Sequence, residues 1–412
     1  MRGMNRNIKL LFAASVLNGV AQGMFTVDFN LFVLSLGISP GVLGAILSAN
    51  PAAQALGSIP VGFLMEKIGY RRILIIVYGV AGIARLAQVA TPHVWVMSLA
   101  AFIGGLALAG DFVVRLPFLA ANSTSQDRPR MYATSSILYN ASISLGALLA
   151  GYGPNLVQNI TGWDLSRTYQ ATLIGAALVG VCAFLPCLGV REPHVEGPPR
   201  KISLAPYLWG MDRYTVRQAV TSLFVGISLG LTTPFMNIYF LYHLGTNREF
   251  FGTVSALVII PAMIATALGP LLSARVGQVR AVTLLRSIIP FLLVNLAVFP
   301  NRWGGTLSYW GTSALNTTAQ PISFAFAMQA ASKKAKSACS AWLNVTFWLG
   351  NAAAAPLAGA FMVQSNYRMP LFIAAGSILI AGVLNQIFFA RIEESMKQQE
   401  LLAQAVRIES EG

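Results

Sequence analysis

Long apolar runs alternate with short polar connections along almost the whole chain. The runs occupy residues 8–36, 40–65, 72–91, 94–120, 131–157, 168–190, 214–243, 249–274, 281–300, 303–328, 337–363 and 367–390. A membrane-spanning helix needs about 20 apolar residues, and segments of this length supply them. The pattern therefore predicts an all-α polytopic membrane protein with twelve transmembrane helices.

The connection between the sixth and seventh apolar segments is longer than the others. Its sequence, REPHVEGPPRKISLAPYLWGMDR, is rich in proline and charge. Such a composition is typical of a linker between folded units. We therefore expect four parts, which are an N-terminal six-helix bundle at 1–190, a cytoplasmic linker at 191–213, a C-terminal six-helix bundle at 214–391 and a cytoplasmic tail at 392–412.

The two halves read as repeats of each other. GVAQGMFTVDFNLFVLSLG, which begins at Gly19, aligns with GISLGLTTPFMNIYFLYHLG, which begins at Gly226, when one residue is inserted. Further along, the first half's Gly44 aligns with Gly252 at nearly the same offset. Because order and offset are shared, we interpret the pattern as an internal duplication. It predicts two pseudo-symmetric bundles, which is one known transporter architecture.

The composition indicates a lipid environment. The chain has 412 residues, of which 55% are hydrophobic and 10% are charged, and its mean hydropathy is +0.64. A soluble protein would have about 25% charged residues. The first apolar run is also too long for the apolar region of a signal peptide, so we interpret it as a retained spanning helix.

The net charge of +14 raises the question of nucleic-acid binding, but the bases are sorted by side of the membrane. If the N-terminus is cytoplasmic, the loops on the outer side of the membrane hold four bases, which are Arg167, Arg248, Arg302 and Arg368. Most of the others fall on the cytoplasmic side, as the positive-inside rule requires. The distribution predicts cytoplasmic termini, a plasma (inner) membrane location and no nucleic-acid partner.

A cluster of charges follows the second apolar segment, in the sequence GFLMEKIGYRR. It resembles the cytoplasmic loop signature of the major facilitator superfamily, with Glu and Lys where the family usually has Asp and Arg. The second half carries a partial copy, GPLLSARVGQVR. The resemblance implies a secondary transporter whose two bundles rock about a central site. The residues that carry it are Gly62, Glu66, Lys67, Gly69, Arg71 and Arg72.

The resemblance also implies that this loop belongs to a gate at the cytoplasmic face. Asp111 and Arg115 lie one turn apart near the same end of the fourth segment. We expect Arg115 to pair with Glu66 in one state, and Asp111 to pair with an arginine of the loop. The alternative is a static anchor whose bases set the topology.

Two ionisable residues deep in the apolar segments, Asp28 and Arg85, are candidates for ion coupling because charges inside a membrane are costly. Asp28 could carry a proton, since burial favours a neutral carboxyl group. It lies about 120° around the helix from Gln22 and so off the polar stripe of the first helix. A structural ion pair with Arg85 is therefore the alternative. Arg286 lies about 9 Å past Arg280 and is expected to reach the inner surface.

The other polar and aromatic residues of the apolar segments are candidates for lining a substrate cavity, because polar groups turn away from lipid. Hydrogen bonding between helices is the alternative role. The set is neutral, which favours an amphipathic or weakly charged substrate over a multivalent anion. Its members are Asn18, Gln22, Thr26, Asn50, Gln54, Tyr139, Asn140, Thr233, Asn237, Tyr239, Asn316, Gln320, Trp342, Asn344 and Trp348.

The sequence contains no Walker A loop, GxSxG motif or HExxH motif, and its histidines and cysteines are scattered. We expect no enzymatic activity, no cofactor and no metal. The first hypothesis is efflux by a monomer, coupled to a proton or another ion, and the superfamily resemblance implies the proton. Export is favoured because Gly153 and Pro154 resemble part of the antiporter signature of drug exporters. Proton-coupled uptake of a neutral nutrient such as a sugar is the alternative. A non-transporting membrane sensor or assembly factor is the second alternative.

Overall fold

The computed structural model describes residues 5–60, 64, 67–124, 127–192, 211–332 and 335–411. Every regular element in these ranges is helical. Twelve long helices can be followed through them, and we number them in chain order. They are α1 Arg6–Ser35, α2 Pro40–Gly57, α3 Tyr70–Ala90, α4 Val94–Ala121, α5 Arg128–Thr161, α6 Leu165–Leu188, α7 Arg213–His243, α8 Arg248–Val276, α9 Gln278–Val298, α10 Arg302–Ala330, α11 Lys336–Val363 and α12 Met369–Glu411.

Ten of these helices are long and apolar enough to span a membrane by length and hydropathy. The other two are α2, described for 18 residues, and α10, whose middle is polar. The predicted all-α polytopic fold is confirmed. The helix α12 continues past residue 391 into the segment predicted to form the cytoplasmic tail, and that domain boundary stays a prediction. The last turns of α12 are rich in Ala, Glu, Gln and Leu, which favour helix.

Polar side chains at the first residues outside the helices determine where several of them begin. The side chain of Asp212 accepts a hydrogen bond from the Thr215 backbone N–H at 2.7 Å and caps α7. Asn247 caps α8 in the same way through the Phe250 N–H at 3.0 Å. Inside α7 the regular pattern is interrupted at Pro234, which lacks a backbone donor and lies in a 3₁₀ turn. This interruption lies beside the cavities described below.

The helices pack in the same arrangement in each half. In the first half α1 packs against α5 and α6, α4 against α2 and α3, and α3 against α6. In the second half α7 packs against α11 and α12, α10 against α8 and α9, and α9 against α12. Each pair in one half therefore has its counterpart six helices later, as the duplicated sequence predicts. The boundaries expected for the two bundles stay predictions, since residues 193–210 of the linker lie outside the described ranges.

The halves meet through α2 with α11 and through α5 with α8. Both contacts lie at the end of the molecule where α1 turns into α2 and α7 turns into α8, which we call the closed end. The opposite end, where α1 begins, is the termini end. Glycines allow the close approach at the closed end. A Cβ on Gly252 would lie 2.6 Å from the Gly151 Cα, and a Cβ on Gly44 would lie 2.6 Å from the Ala355 carbonyl oxygen.

The buried apolar core confirms that the halves join at one end. At the closed end a continuous cluster includes Phe32 and Leu173 from the first half and Phe240 and Ala355 from the second. Towards the termini end the first half has its own cluster around Tyr78 and Phe118. The second half has separate small clusters there. The halves therefore enclose a space that narrows towards the closed end.

Candidate functional site

Two adjacent cavities lie in the space between the halves. The C-half cavity has a volume of about 290 Å³ and is lined by α7, α9, α10 and α11. The N-half cavity has a volume of about 320 Å³ and is lined mainly by α1 to α4. Thr233 and Trp348 line both of them. The two cavities therefore meet at the interrupted segment of α7.

Four of the predicted residues line the N-half cavity from α1 and α2. They are Gln22, Thr26, Asn50 and Gln54. Asn50 donates a hydrogen bond from Nδ2 to the Ala101 carbonyl at 3.3 Å and accepts one from Gln54 Nε2 at 2.8 Å. The amides are thus partly engaged with each other and oriented by the α4 backbone.

Arg85 also lines the N-half cavity, and amide groups hold it there. Its guanidinium donates to Asn18 Oδ1 at 2.8 Å and to Gln22 Oε1 at 2.7 Å. Both partners lie one turn apart on α1. The predicted alternative of an ion pair between Arg85 and Asp28 is therefore not what the structure contains. Two neutral amide oxygens, rather than a carboxylate, orient this buried cation.

Predicted residues from two helices of the second half line the C-half cavity, in addition to the shared pair. Asn316 and Gln320 contribute from α10, and Asn344 contributes from α11. Arg286 lines the same cavity and is 6% exposed. The expectation that Arg286 would extend to the surface was wrong, because the residue is buried between the cavity and α12, where a Cβ on Gly382 would lie 3.4 Å from the Arg286 Cβ.

The remaining cavity candidates lie outside the lining of both cavities within the described residues. They are Asn18, Tyr139, Asn140, Asn237, Tyr239 and Trp342. Tyr139 lies under the Arg115 guanidinium, 4.4 Å from ring centroid to Cζ. Tyr239 donates to the Leu296 carbonyl of α9. Asn140 is exposed and donates to its own helix. These contacts belong to helix packing rather than to a substrate wall.

Asn30 and Asn237 form a reciprocal contact between the halves near the closed end. Asn30 Nδ2 donates to Asn237 Oδ1 at 3.1 Å and to the carbonyl of Pro234. Asn237 Nδ2 donates to the Val27 carbonyl at 2.8 Å. These two asparagines are equivalent in the duplicated sequence, and Val27 is equivalent to Pro234. The internal symmetry therefore brings matching positions face to face.

Asp28 is not part of the described lining of either cavity. It is fully buried, and neither carboxylate oxygen has a hydrogen-bond partner among the described groups. Arg248 of α8 acts on it electrostatically without contact. Arg248 itself stacks 5.1 Å from the Tyr169 ring centroid and donates to Asn155 Oδ1 at 2.7 Å. A buried acid of one half thus faces a base of the other at the closed end.

Comparison with known proteins identifies the architecture. The family model described as Major Facilitator Superfamily matches residues 11–212 and 218–408. The chain belongs to the Major Facilitator Superfamily. The "Putative metabolite transport protein YncC" of Bacillus subtilis (strain 168) is 23% identical over 194 residues, which are 46% of this chain and 40% of that protein. The chain thus spans less than half the length of the curated relatives it matches.

Solved structures show the same superfamily fold. A crystal structure of the nucleoside transporter NupG superposes with a TM-score of 0.72 at 16% identity, covering 94% of this chain and 99% of that one. A bacterial homologue of the human lysosomal transporter Spinster, in an inward-facing and occupied conformation, gives 0.74 at 13% identity, with coverages of 92% and 96%. A D-xylose–proton symporter gives 0.69 at 14% identity, with coverages of 93% and 98%. Membership places the chain among membrane transporters and not among enzymes.

The superfamily loop signature is partly described. Gly62 and Glu66 lie outside the described residues. Gly69 has a φ of +82°, which glycine adopts readily and other residues do not, and it precedes α3. Lys67, Arg71 and Arg72 are exposed at the termini end.

Asp111 does not pair with an arginine of the loop as expected, whereas the expected pairing of Arg115 with Glu66 stays a prediction because Glu66 lies outside the described residues. Asp111 forms an ion pair with Arg115 of its own helix. It also accepts a hydrogen bond from the Tyr78 hydroxyl of α3 at 2.7 Å. Arg71 instead donates to the Leu188 carbonyl at 2.9 Å. In this state of the superfamily member, the acid and base of α4 satisfy each other inside the first bundle.

Glu192, an acid that no sequence motif singled out, caps α3. The Glu192 carboxylate accepts hydrogen bonds from the backbone N–H groups of Tyr70 at 3.1 Å and Arg71 at 2.8 Å. Glu393 caps α9 through the N–H groups of Gln278 and of Val279, the latter at 3.2 Å. Carboxylates stabilise helix N-termini through these free donors and the helix dipole. The signal was an acid directly after the sixth and twelfth apolar segments, at matching places in the repeat.

Replacing Glu192 with alanine is expected to destabilise the first bundle by about 1 kcal/mol, the usual cost of a lost N-terminal cap. Glu393→Ala is expected to do the same in the second bundle. The two effects should add, because the sites share no partner. Equilibrium unfolding in detergent and lipid mixtures measures them, with Gln398→Ala as a control at an exposed position far from the N-terminus of its helix. Unfolding free energies equal to that of the wild type would refute the capping role.

Proposed function

We propose that this superfamily member is a secondary active transporter that moves a small organic molecule across the plasma (inner) membrane by alternating access. One observation carries the proposal, which is that the two symmetric halves share a core at the closed end and have separate cores at the other. A cavity site between repeats that can rock against each other is what this mechanism needs.

The sidedness of the proposal comes from the bases. With both termini in the cytoplasm, the exposed Lys67, Arg71 and Arg72 lie on the inner face, as the positive-inside rule requires. The closed end then faces outward, and the described conformation is inward-facing. The charged loop would act as part of the gate that closes the termini end in the opposite state.

We infer proton-coupled efflux of an amphipathic or weakly charged compound as the specific activity. The mixed amide and aromatic lining of the C-half cavity supports such a substrate. The partial antiporter signature at Gly153 and Pro154 favours export. Uptake remains the competing direction, since one structural neighbour is a D-xylose–proton symporter.

Asp28 is the proposed proton-carrying group. It is a buried carboxyl without a hydrogen-bond partner among the described groups, and the groups that act on it, Arg248 and Tyr169, come from α8 and α6. Opening the closed end would move Arg248 away with the second half. The charge state of Asp28 would thereby be linked to which end of the molecule is open. Arg85 donates hydrogen bonds to amides of α1, the helix that also carries Asp28. A movement of α1 would therefore also shift Arg85, on the side that faces the cavity.

Asp28→Asn is expected to abolish accumulation driven by a pH gradient while sparing exchange of substrate for substrate, because an amide cannot cycle a proton. The measurement compares gradient-driven accumulation with substrate exchange, both in proteoliposomes. Asp127→Asn, at an exposed carboxyl, serves as the matched control. If Asp28→Asn reduces both modes equally, or only the yield of folded protein, its role is structural.

The transporter proposal itself is tested with purified protein in liposomes under an imposed pH gradient. A panel of small organic solutes, charged and neutral, is expected to include at least one that moves faster than in protein-free liposomes. The direction follows from whether an inside-acidic or inside-alkaline gradient drives accumulation. An absence of flux across the panel would favour the sensor or assembly-factor alternative.

A further inference from the structure

Arg286 has no partner among the described residues that explains it. It lies about 12 Å along α9 from the helix start at Gln278. Its Nη1 is completely buried without a hydrogen-bond partner, and no described protein group forms a hydrogen bond or ion pair with it. The other two cations inside apolar segments have partners for their charge. Arg85 donates to two amides, and Arg115, whose Nε is also unpaired, forms an ion pair with Asp111. Arg286 is therefore an uncompensated buried charge within the described structure.

The surroundings of Arg286 resemble a binding site more than a structural pocket. The described lining of the C-half cavity contains no acid. It supplies neutral amides from Gln218, Asn316 and Asn344, and an aromatic surface at Trp348. One cation, several neutral hydrogen-bonding groups and an aromatic wall together match an organic anion with an apolar part.

The free-energy cost of an unpaired buried charge also favours a binding role for Arg286. A buried charge without a partner costs several kcal/mol, and in a membrane protein such a charge is a functional candidate by default. The planar guanidinium presents a fork of donors that fits the two oxygens of a carboxylate. A single unpaired cation balances one negative charge rather than several. The cavity volume is at the small end of the range for ligand sites.

We propose that the C-half cavity binds a small aromatic or aliphatic monocarboxylate, whose carboxylate pairs with Arg286 and whose apolar part lies against Trp348. This inference rests on the proposed transport function and names its substrate class. Among the amphipathic or weakly charged compounds expected as substrates, it selects those with a single negative charge. Arg85 does not take this role, because both terminal nitrogens of its guanidinium already donate to amides of α1.

The first test needs no ligand. Arg286→Gln is expected to raise the melting temperature of the purified, ligand-free protein by at least about 2 °C, because it removes an uncompensated charge. Arg85→Gln is the matched control and is expected to lower it, because it breaks two hydrogen bonds. A fall in melting temperature for Arg286→Gln like that for Arg85→Gln would show that Arg286 has a structural partner and would overturn the proposal.

The second test compares phenylacetate with its neutral analogue phenylacetamide, and both with chloride and inorganic phosphate at constant ionic strength. Phenylacetate is expected to bind the wild type at least tenfold more tightly than phenylacetamide, as measured by tryptophan fluorescence and thermal shift. Arg286→Gln should abolish that preference and Arg286→Lys should keep part of it. Arg167→Gln, at an arginine whose side chain is 75% exposed and lies outside the described lining of both cavities, should leave it intact. Equal binding of the two probes, or no binding of either, overturns the proposal. Binding of the inorganic anions alone also overturns it.

Failure of the monocarboxylate proposal can be distinguished from failure of the transport proposal. Flux of neutral solutes that is insensitive to Arg286→Gln would refute the monocarboxylate class and leave the transporter intact. Binding of phenylacetate without flux of any solute would refute transport and leave the anion site.

Discussion

Gly252→Val is expected to abolish transport while leaving the protein folded, because it forces the two halves apart at the closed end. A Cβ at this position would lie 2.6 Å from the Gly151 Cα and 3.0 Å from the Ala147 carbonyl oxygen. Both are backbone atoms of α5, so no side chain can turn away to make room. Overpacking of this kind costs about 1–3 kcal/mol. The cost falls on the closed conformation alone, and it would shift the equilibrium towards opening of this end by roughly 5- to 150-fold.

The shift can be measured as a distance between spin labels on the two halves. Thr161 at the end of α5 and Gln364 after α11 are exposed at the closed end. After replacement of the three free cysteines, labels there should report a longer distance in Gly252→Val than in the parent. Gly44→Val, at the symmetric crossing of α2 and α11, should give the same result.

The control is Gly175→Val, because a Cβ at Gly175 would meet nothing within 4 Å. It places the same residue in a membrane helix without touching the interface between the halves. We expect its label distance and its transport rate to match those of the parent. An unchanged distance in Gly252→Val would mean that the glycine crossing does not hold the closed end.

Asp111→Ala is expected to cause the largest loss of stability, about 3–5 kcal/mol, because it leaves Arg115 buried without its counter-charge. The two side chains are 10% and 15% exposed, so water compensates little. The Tyr78 hydroxyl also loses its acceptor. Removing both charges together, in Asp111→Leu with Arg115→Met, should cost much less than Asp111→Ala alone.

Equilibrium unfolding of the two single variants and the double variant measures this coupling. Arg167→Ala provides the comparison, since its pair with Asp164 is exposed at 75% and 60% and is expected to contribute less than about 1 kcal/mol. If the double variant is as unstable as Asp111→Ala, the loss comes from packing rather than from an uncompensated charge.

The helical pattern was sufficient for the fold. Apolar run length and the repeat around Gly19 and Gly226 predicted twelve helices in two symmetric halves, because lipid forces each span into a complete helix. The angular positions of the polar residues around α1 were equally informative. Gln22 and Thr26 line a cavity, and Asp28 is absent from its described lining. Periodicity within one helix is a local property, so the sequence contains it.

The partners of the charged residues could not be predicted in this way. Asp111 pairs with Arg115 of its own helix rather than with a loop arginine, and Arg85 binds amides rather than Asp28. Both outcomes depend on which helices are neighbours and on how each is rotated. Neither the spacing nor the hydropathy of a single segment contains that information.

By itself, the sequence determined the membrane environment, the duplicated architecture and the superfamily, because these follow from apolar length, repeat order and one loop motif. The tertiary structure alone decided that Arg286 faces a cavity whose described lining holds no counter-charge and that Glu192 caps α3. It also decided which end of the molecule is closed. These features arise where separate helices meet, and the free energy of such contacts is set by packing and burial rather than by local order along the chain.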